Sequence, residues 1–380
     1  MLALLTLTGR PLQSQMRAAS PVDVGLSGSR LDAAAGLLGS EVEKGRLGAG
    51  AVLVARRGAI VLHQAFGRMS PASGAQPVQP DSVFLLASIT KPVTATAVML
   101  LVERGQVSLE EPAARYIPEF QGGARGLVRV RDLLSHTSGL PDMLPENREL
   151  RLAHAPLSEF VRRVCATPLL FSPRTRCSYQ SMGTLLAGEI VQRVTGEPLR
   201  DFMRREIFRP LGMKDSSLGL GKRRVSETVW SSGPPEASKQ DLAVYGWSTE
   251  YWRDLGAPWG GMHSTTTDLA VLLQTFLNGG AYEGRRLLKP ETAKAMITDQ
   301  NSGLDSPWGL GWALARSRAW NYFGNRVSPA TFGHVGATGT IAWADPETEL
   351  ICVVLTNRPV DEDKGKLLRE VSEAVAGAVE

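Results

Sequence analysis

Apolar residues near the start of the chain recur at helical spacing. Leu31, Ala34, Leu38 and Val42 fall on one face behind Ser29, a capping residue, and predict a helix over 31–42. The next stretch, "GAVLVARRGAIVLHQAF", is two β-branched runs joined at Arg57 and Gly58, which reads as a tight hairpin. Helical spacing returns from Ile89 to Val107, where Gly105 stops it, and again over Leu157 to Ala166, Met182 to Val194 and Thr266 to Leu277. The stretches "FSPRTRCSYQS" and "WSSGPPEASKQ" read as loops between them. Strand character comes back late, in "WGLGWALAR", "TIAWAD" and "LICVVLTN", and a helical pattern from Lys364 to Val379 closes the chain.

The simplest packing of these elements is an α/β (α+β) fold. The early hairpin and the late strands join in one mainly antiparallel sheet, flanked by the N- and C-terminal helices, and the helical middle is an insertion. The expected division is a leader or flexible tail over 1–24, a sheet-containing domain over 25–85 and 258–380, and an inserted helical domain over 86–257 with the site at their interface.

Composition narrows the class without naming a chemistry. At 380 residues, 43% hydrophobic and 21% charged, the chain is long enough for two domains and ordinary for a globular protein. A net charge of +4 is mild, and the basic cluster Arg200, Arg204, Arg205 and Arg209 is mixed with Asp201 and Glu206, so it reads as a solvated helix face rather than a nucleic-acid patch. Cys165, Cys177 and Cys352 cannot all pair within the chain and have no metal spacing, which favours free thiols and the cytoplasm over a periplasmic or secreted location. No run reaches the ~18 apolar residues of a membrane span. The opening "MLALLTLTGR" is short and lacks a positively charged flank, and reads as a disordered leader or a misjudged start before a signal peptide.

Chemistry first shows in "LLASITKPVT". Proline is tolerated mainly in the first turn of a helix, so Pro92 puts Ser88 at or near a helix start, where free N–H groups and the dipole suit a developing oxyanion. Lys91, three residues on, falls over the same face. It can act as a base only if burial with cationic neighbours lowers its pKa from the ordinary ~10.4. On spacing alone, a capping serine and a solvated lysine fit as well. Tyr179, in a loop just before a helix, is a candidate proton carrier, since a phenol beside an ammonium ionises more easily. A boundary tyrosine with a wetted hydroxyl is the bland alternative. Downstream, "TFGHVGATGTIAWADPE" places His334 and two glycines at the entry to a predicted strand, where glycine permits close approach to a ligand.

In these pieces the sequence resembles the serine β-lactamase and penicillin-binding-protein superfamily, most closely its class C-like branch with the family VIII carboxylesterases. Ser88-Ile89-Thr90-Lys91 matches the S-x-x-K motif, Tyr179-Gln180-Ser181 stands in the place of Y-x-N, and His334-Val335-Gly336 in that of K-T-G. "LLSHTSGLPD" and "PWGGMHSTTTDLA" are also similar to segments of that family. The resemblance implies a β-lactamase/transpeptidase-like fold, with Ser88 as nucleophile, Lys91 and Tyr179 as proton carriers, and an oxyanion hole from the N–H groups of Ser88 and Ala337. It departs from the lactam-hydrolysing pattern at Ser181, where asparagine is usual, and at His334, which offers no permanent cation to a substrate carboxylate.

Other residues take plainer readings. His136 reads as a polar turn histidine, and His154 and His263 have no partner at metal-ligand spacing. Trp252 and Trp259 flank the glycine-rich loop and are candidates to wall an apolar acyl pocket. The resulting expectation is a serine hydrolase cleaving short-chain carboxylic esters through a Ser88 acyl-enzyme. No cofactor or metal is implied, the partner is a small-molecule ester, and the sequence does not fix an oligomeric state. The same catalytic residues would serve a β-lactamase or D-alanyl peptidase, or an acyltransferase, and a non-catalytic scaffold is the reading outside enzymes.

Overall fold

A computed structural model describes residues 15–380 apart from 235, 305, 318, 319 and 321; the apolar opening segment lies outside the described residues. The sheet has seven strands in the spatial order Arg17–Ala18, Ala59–Gly67, Ala49–Arg56, Leu350–Thr356, Thr340–Asp345, Phe332–Gly336 and Ala313–Leu314. Every neighbouring pair is antiparallel except the first, where Arg17 and Ala18 run parallel to Ala59 and Ile60. The expected flexible tail over 1–24 is therefore corrected at its end: from Arg17 the chain adds an edge to the sheet. The hairpin turns at Arg57 and Gly58, both with positive φ, the combination that matches the twist of the paired strands.

Alternation along the central strands divides their side chains between two cores. Ala51, Leu53 and Ala55, with Ile351, Val353 and Leu355, face a core that continues among Phe160, Leu186 and the other helices of the middle segment. Helix Thr266–Leu277 packs there through Leu269, Leu273 and Phe276. Val52, Val54, Cys352 and Val354 face the other way, onto Leu31 and Leu38 of helix Gly28–Glu43 and Leu367, Val371 and Val375 of helix Lys366–Ala376. A sheet buried on both faces explains why its strands read as unbroken apolar runs.

Two strand expectations change. Phe332–Gly336 is itself a strand rather than the approach to one, and of "WGLGWALAR" only Ala313–Leu314 forms a strand, paired with Gly333 and Phe332, while Trp308 adds an isolated bridge to Ala313. The three cysteines are free. Among the described residues, no helix is long and apolar enough to cross a membrane and no metal-holding cluster of His, Cys, Asp or Glu forms.

Candidate active site

Ser88 is fixed by the strands on either side of its turn. Phe84–Leu85 pairs with Met262–Ser264, and the Leu86 N–H donates to the Met262 carbonyl at 2.9 Å. Ala87 then takes a left-handed φ of 49°, a costly conformation for a residue with a Cβ, and the 3₁₀ turn Ala87–Ile89 leads into helix Thr90–Glu103. Pro92 lies in the first turn, where its missing N–H costs no hydrogen bond. From the sheet, Thr338 and Thr340 donate to the carbonyls of Leu85 and Leu86, each at 2.8 Å. Gly336 makes that docking possible, since a Cβ there would stand 2.1 Å from the Leu86 oxygen. The close approach expected of this glycine is thus to the chain's own backbone, and Gly336 does not line the substrate cavity.

Lys91 is buried beneath Ser88. Its Nζ lies 3.0 Å from Ser88 Oγ and 3.0 Å from the Trp259 carbonyl, and 4.7 Å from the centre of the Tyr179 ring. Burial lowers its pKa to about 7, against a weaker opposing pull from Asp142. Desolvation, and not the cationic neighbours the sequence suggested, is the cause. A neutral amine has a single lone pair; with one N–H held by the Trp259 carbonyl, that pair can face the Ser88 hydroxyl.

Tyr179 behaves differently from the expectation. Part of its ring is open to the cavity, but its hydroxyl is buried, and burial pushes its pKa well above the ordinary value; nearby Ser88 opposes this only in part. The phenol therefore stays protonated. The hydroxyl is near enough to Ser88 to feel it but makes no well-formed hydrogen bond, and geometry decides that the pair is adjacent rather than bonded.

Behind Tyr179 lies an aromatic cage that holds His136 and His334. His136 is fully buried in a left-handed conformation, φ 62°, and its Nδ1 accepts from the Gln180 N–H at 3.3 Å. It sits in a turn, as its sequence context suggests, and its buried ring lies 4.7 Å from those of both Tyr179 and Trp308, so it supports the tyrosine. His334 is likewise buried off the cavity wall, among Trp320, Trp308 and Tyr179 at centroid distances of 5.5, 5.8 and 6.0 Å. Burial, then the charge of Lys91, lowers its pKa to about 3. His334 is a neutral backing residue and cannot meet substrate as a cation.

Ser88 opens into a cavity of about 430 Å³, also lined by Tyr179, Ser181, Trp259 and Ala337 of the expected site. Trp252 lies on the same wall, its ring 6.5 Å from that of Trp259. Ser181 is not a free arm toward substrate: its N–H and its hydroxyl donate to Asp142 Oδ1 at 2.8 and 2.7 Å. Ala337 sits exposed in the turn after its strand, its carbonyl accepting from the Val360 N–H at 3.0 Å. Sequence reasoning missed Asp142, although it lies in the family-like segment "LLSHTSGLPD", and missed Arg151, which in a helical stretch looks like any solvated arginine.

A serine backed by a buried, readily deprotonated amine and a neutral phenol has the chemical parts for nucleophilic attack without a histidine base. The β-lactamase family model matches residues 34–376, and the chain belongs to that family, within the superfamily that includes the penicillin-binding proteins. A protein of Escherichia coli strain K12 named "Putative D-alanyl-D-alanine carboxypeptidase" is 29% identical over 340 residues, covering 81% of this chain and 78% of that relative. In fold, a penicillin-binding-protein homologue from Caulobacter crescentus superposes with a TM-score of 0.77 at 24% identity, covering 93% of this chain and 99% of that one. A family VIII carboxylesterase superposes with a TM-score of 0.72 at 21% identity, covering 92% and 98%.

Proposed function

We propose that the protein hydrolyses short-chain carboxylic esters through an acyl-enzyme on Ser88. Ser88 Oγ attacks the ester carbonyl while its proton passes to Lys91 Nζ. The N–H groups of Ser88 and Ala337 hold the oxyanion, and Lys91, with Tyr179 as relay, returns the proton to the departing alkoxide. Water then enters by the same route and releases the acid. The observation that carries the ester reading is the neutral, buried His334, with a pKa of about 3. A β-lactam brings a carboxylate that lactam-hydrolysing relatives meet with lysine at this motif, and losing one charge-assisted hydrogen bond costs about 1.5–3 kcal/mol. An ester that places no carboxylate at this motif loses nothing, whatever it carries elsewhere in the cavity.

A peptidase reading is favoured by the names of the sequence relatives. It requires the same Ser88, Lys91 and Tyr179. The separating experiment is one preparation assayed against 4-nitrophenyl acetate and butyrate, a chromogenic cephalosporin and a D-alanyl-D-alanine peptide, with Ser88→Ala as control. Esters are expected to be fastest, and Ser88→Ala to lose both turnover and fluorophosphonate labelling. A cephalosporin or peptide turned over as fast as the best ester replaces the esterase reading; activity retained in Ser88→Ala removes the nucleophile.

A further inference from the structure

Among the described residues three arginine side chains are buried to nine-tenths or more, and one of them differs from the others. Arg56 donates to the carbonyls of Thr348 at 3.0 Å and Val24 at 2.9 Å. Arg253 donates to the Val229 carbonyl at 2.8 Å and to Thr228 Oγ1 at 3.1 Å. Arg151, 8% exposed on the short helix Asn147–Leu152, donates to nothing and pairs with no carboxylate among the described residues, and its Nε is buried without a partner. It lines the Ser88 cavity with its guanidinium 4.1 Å from the centre of the Trp252 ring. Stacking of this kind uses the face of the guanidinium and leaves the N–H donors at its edge available. Burial lowers its pKa only to about 10, so it is a cation at neutral pH.

Burying an unpaired cation is expensive, and a fold keeps one where something else completes it. The carboxylates around the cavity do not. Asp142, whose charge reaches Arg151 without forming an ion pair, and Glu236 and Asp361 are exposed at its rim, and Asp142 Oδ1 is already taken by Ser181. One turn before Arg151, Asn147 also lines the cavity, but its unpartnered buried atom is an amide oxygen, an acceptor, so binding of an anion falls to the guanidinium. We propose, building on the esterase reading above, that Arg151 forms a carboxylate subsite, and that the preferred substrates are short esters carrying a carboxylate apart from the ester carbonyl. The guanidinium edge matches the two oxygens of a carboxylate, and Trp252 and Trp259 cover the carbon chain between.

The test compares acidic with neutral esters of similar size in two arms. The carboxylate lies on the acyl side in the 4-nitrophenyl hemiester of glutaric acid, set against 4-nitrophenyl butyrate. It lies on the alcohol side in the butyryl ester of 3-hydroxybenzoic acid, set against phenyl butyrate. In one arm the wild type is expected to favour the acidic ester in kcat/KM by about tenfold or more, the usual return on a charge-assisted hydrogen bond. Arg151→Met should bring that ratio to near one, mainly through KM, and Arg151→Lys should keep part of it. The melting temperature of Arg151→Met should not fall, since an unpaired buried charge is removed. Absence of preference in both arms, or a loss of acidic and neutral turnover in equal proportion with a lowered melting temperature, overturns the subsite. Should neither neutral ester be hydrolysed, the esterase reading fails by itself. Protection of Ser88 from fluorophosphonate by glutarate or 3-hydroxybenzoate, present in wild type and absent in Arg151→Met, then still decides whether the subsite exists.

Discussion

Replacing Lys91 with methionine should stabilise the protein while ending its activity, and the stabilisation should depend on pH in a prescribed way. The lysine is fully buried, and its pKa falls from 10.5 to about 7 on folding. At about 1.36 kcal/mol per pH unit, that difference is worth about 5 kcal/mol against the folded state wherever the lysine is protonated in both forms. The sign follows from proton counting. Below about pH 7 both folded and unfolded chains carry the proton and the full penalty applies. Between about 7 and 10.5 the unfolded chain keeps a proton that the folded chain has released, so the penalty shrinks as pH rises, and above 10.5 it is gone. Methionine also gives up the contacts with Ser88 Oγ and the Trp259 carbonyl, and an unmet buried acceptor costs about 1–3 kcal/mol. The net expectation is that Lys91→Met gains about 2–4 kcal/mol at pH 6 and loses that advantage progressively toward pH 10. Urea unfolding of both proteins at pH 6, 8 and 9.5 measures it. In wild type, kcat/KM for an ester should rise with pH through about 7, as the amine becomes free to accept the Ser88 proton. A stability difference that does not change with pH, or a Lys91→Met protein less stable at pH 6, would refute the account of Lys91 as a desolvated base.

Tyr179→Phe should lower kcat by about 10²–10⁴, the range for loss of a proton relay, with little change in KM. Because the hydroxyl has no hydrogen-bond partner to lose, urea unfolding should find that variant about as stable as wild type, and a large loss of stability would make Tyr179 a structural residue instead. His334→Lys should shift the acid limb of kcat/KM below that of wild type, because a second cation in the cage beside Lys91 disfavours its protonation. A limb that stays in place would mean that the charge at 334 is not felt at Lys91.

Features of the fold that depend on local pattern were legible in the sequence. Helices Leu157–Ala166 and Thr266–Leu277 fall where apolar spacing puts them, and strand Thr340–Asp345 coincides with "TIAWAD". Strand Phe332–Gly336 was not, because glycine and histidine carry little strand preference and are held there by pairing with both neighbours. At the site, the order of the serine, lysine and tyrosine motifs was readable, but their electrostatics were not. Burial of Lys91, His136 and His334 depends on Trp259, Trp308 and Trp320, which arrive from distant parts of the chain. A lysine read from sequence invites the thought that its charge ionises the tyrosine; in the folded protein desolvation acts on both groups and drives each toward its neutral form.

That shared neutrality bears on how the reaction is driven. Before substrate binds, the space under Ser88 contains an amine that is half deprotonated near pH 7, a protonated phenol and a neutral imidazole. In the proposed reaction the Ser88 proton moves to the buried Lys91 as the carbonyl oxygen becomes an anion, so a cation and an anion appear together, the cation out of water. Their attraction is large there and absent in the ground state, which is the condition for lowering a barrier instead of merely binding substrate. A permanent cation at position 334 would already attract a carboxylate in the ground state, and it would oppose the charge that forms on Lys91 in the transition state. Histidine avoids both effects. The remaining buried cation on the cavity wall, Arg151, stacks on Trp252 instead of joining the Lys91 and Tyr179 cluster, so it can select for a substrate's charge with less disturbance of the proton transfer at Ser88.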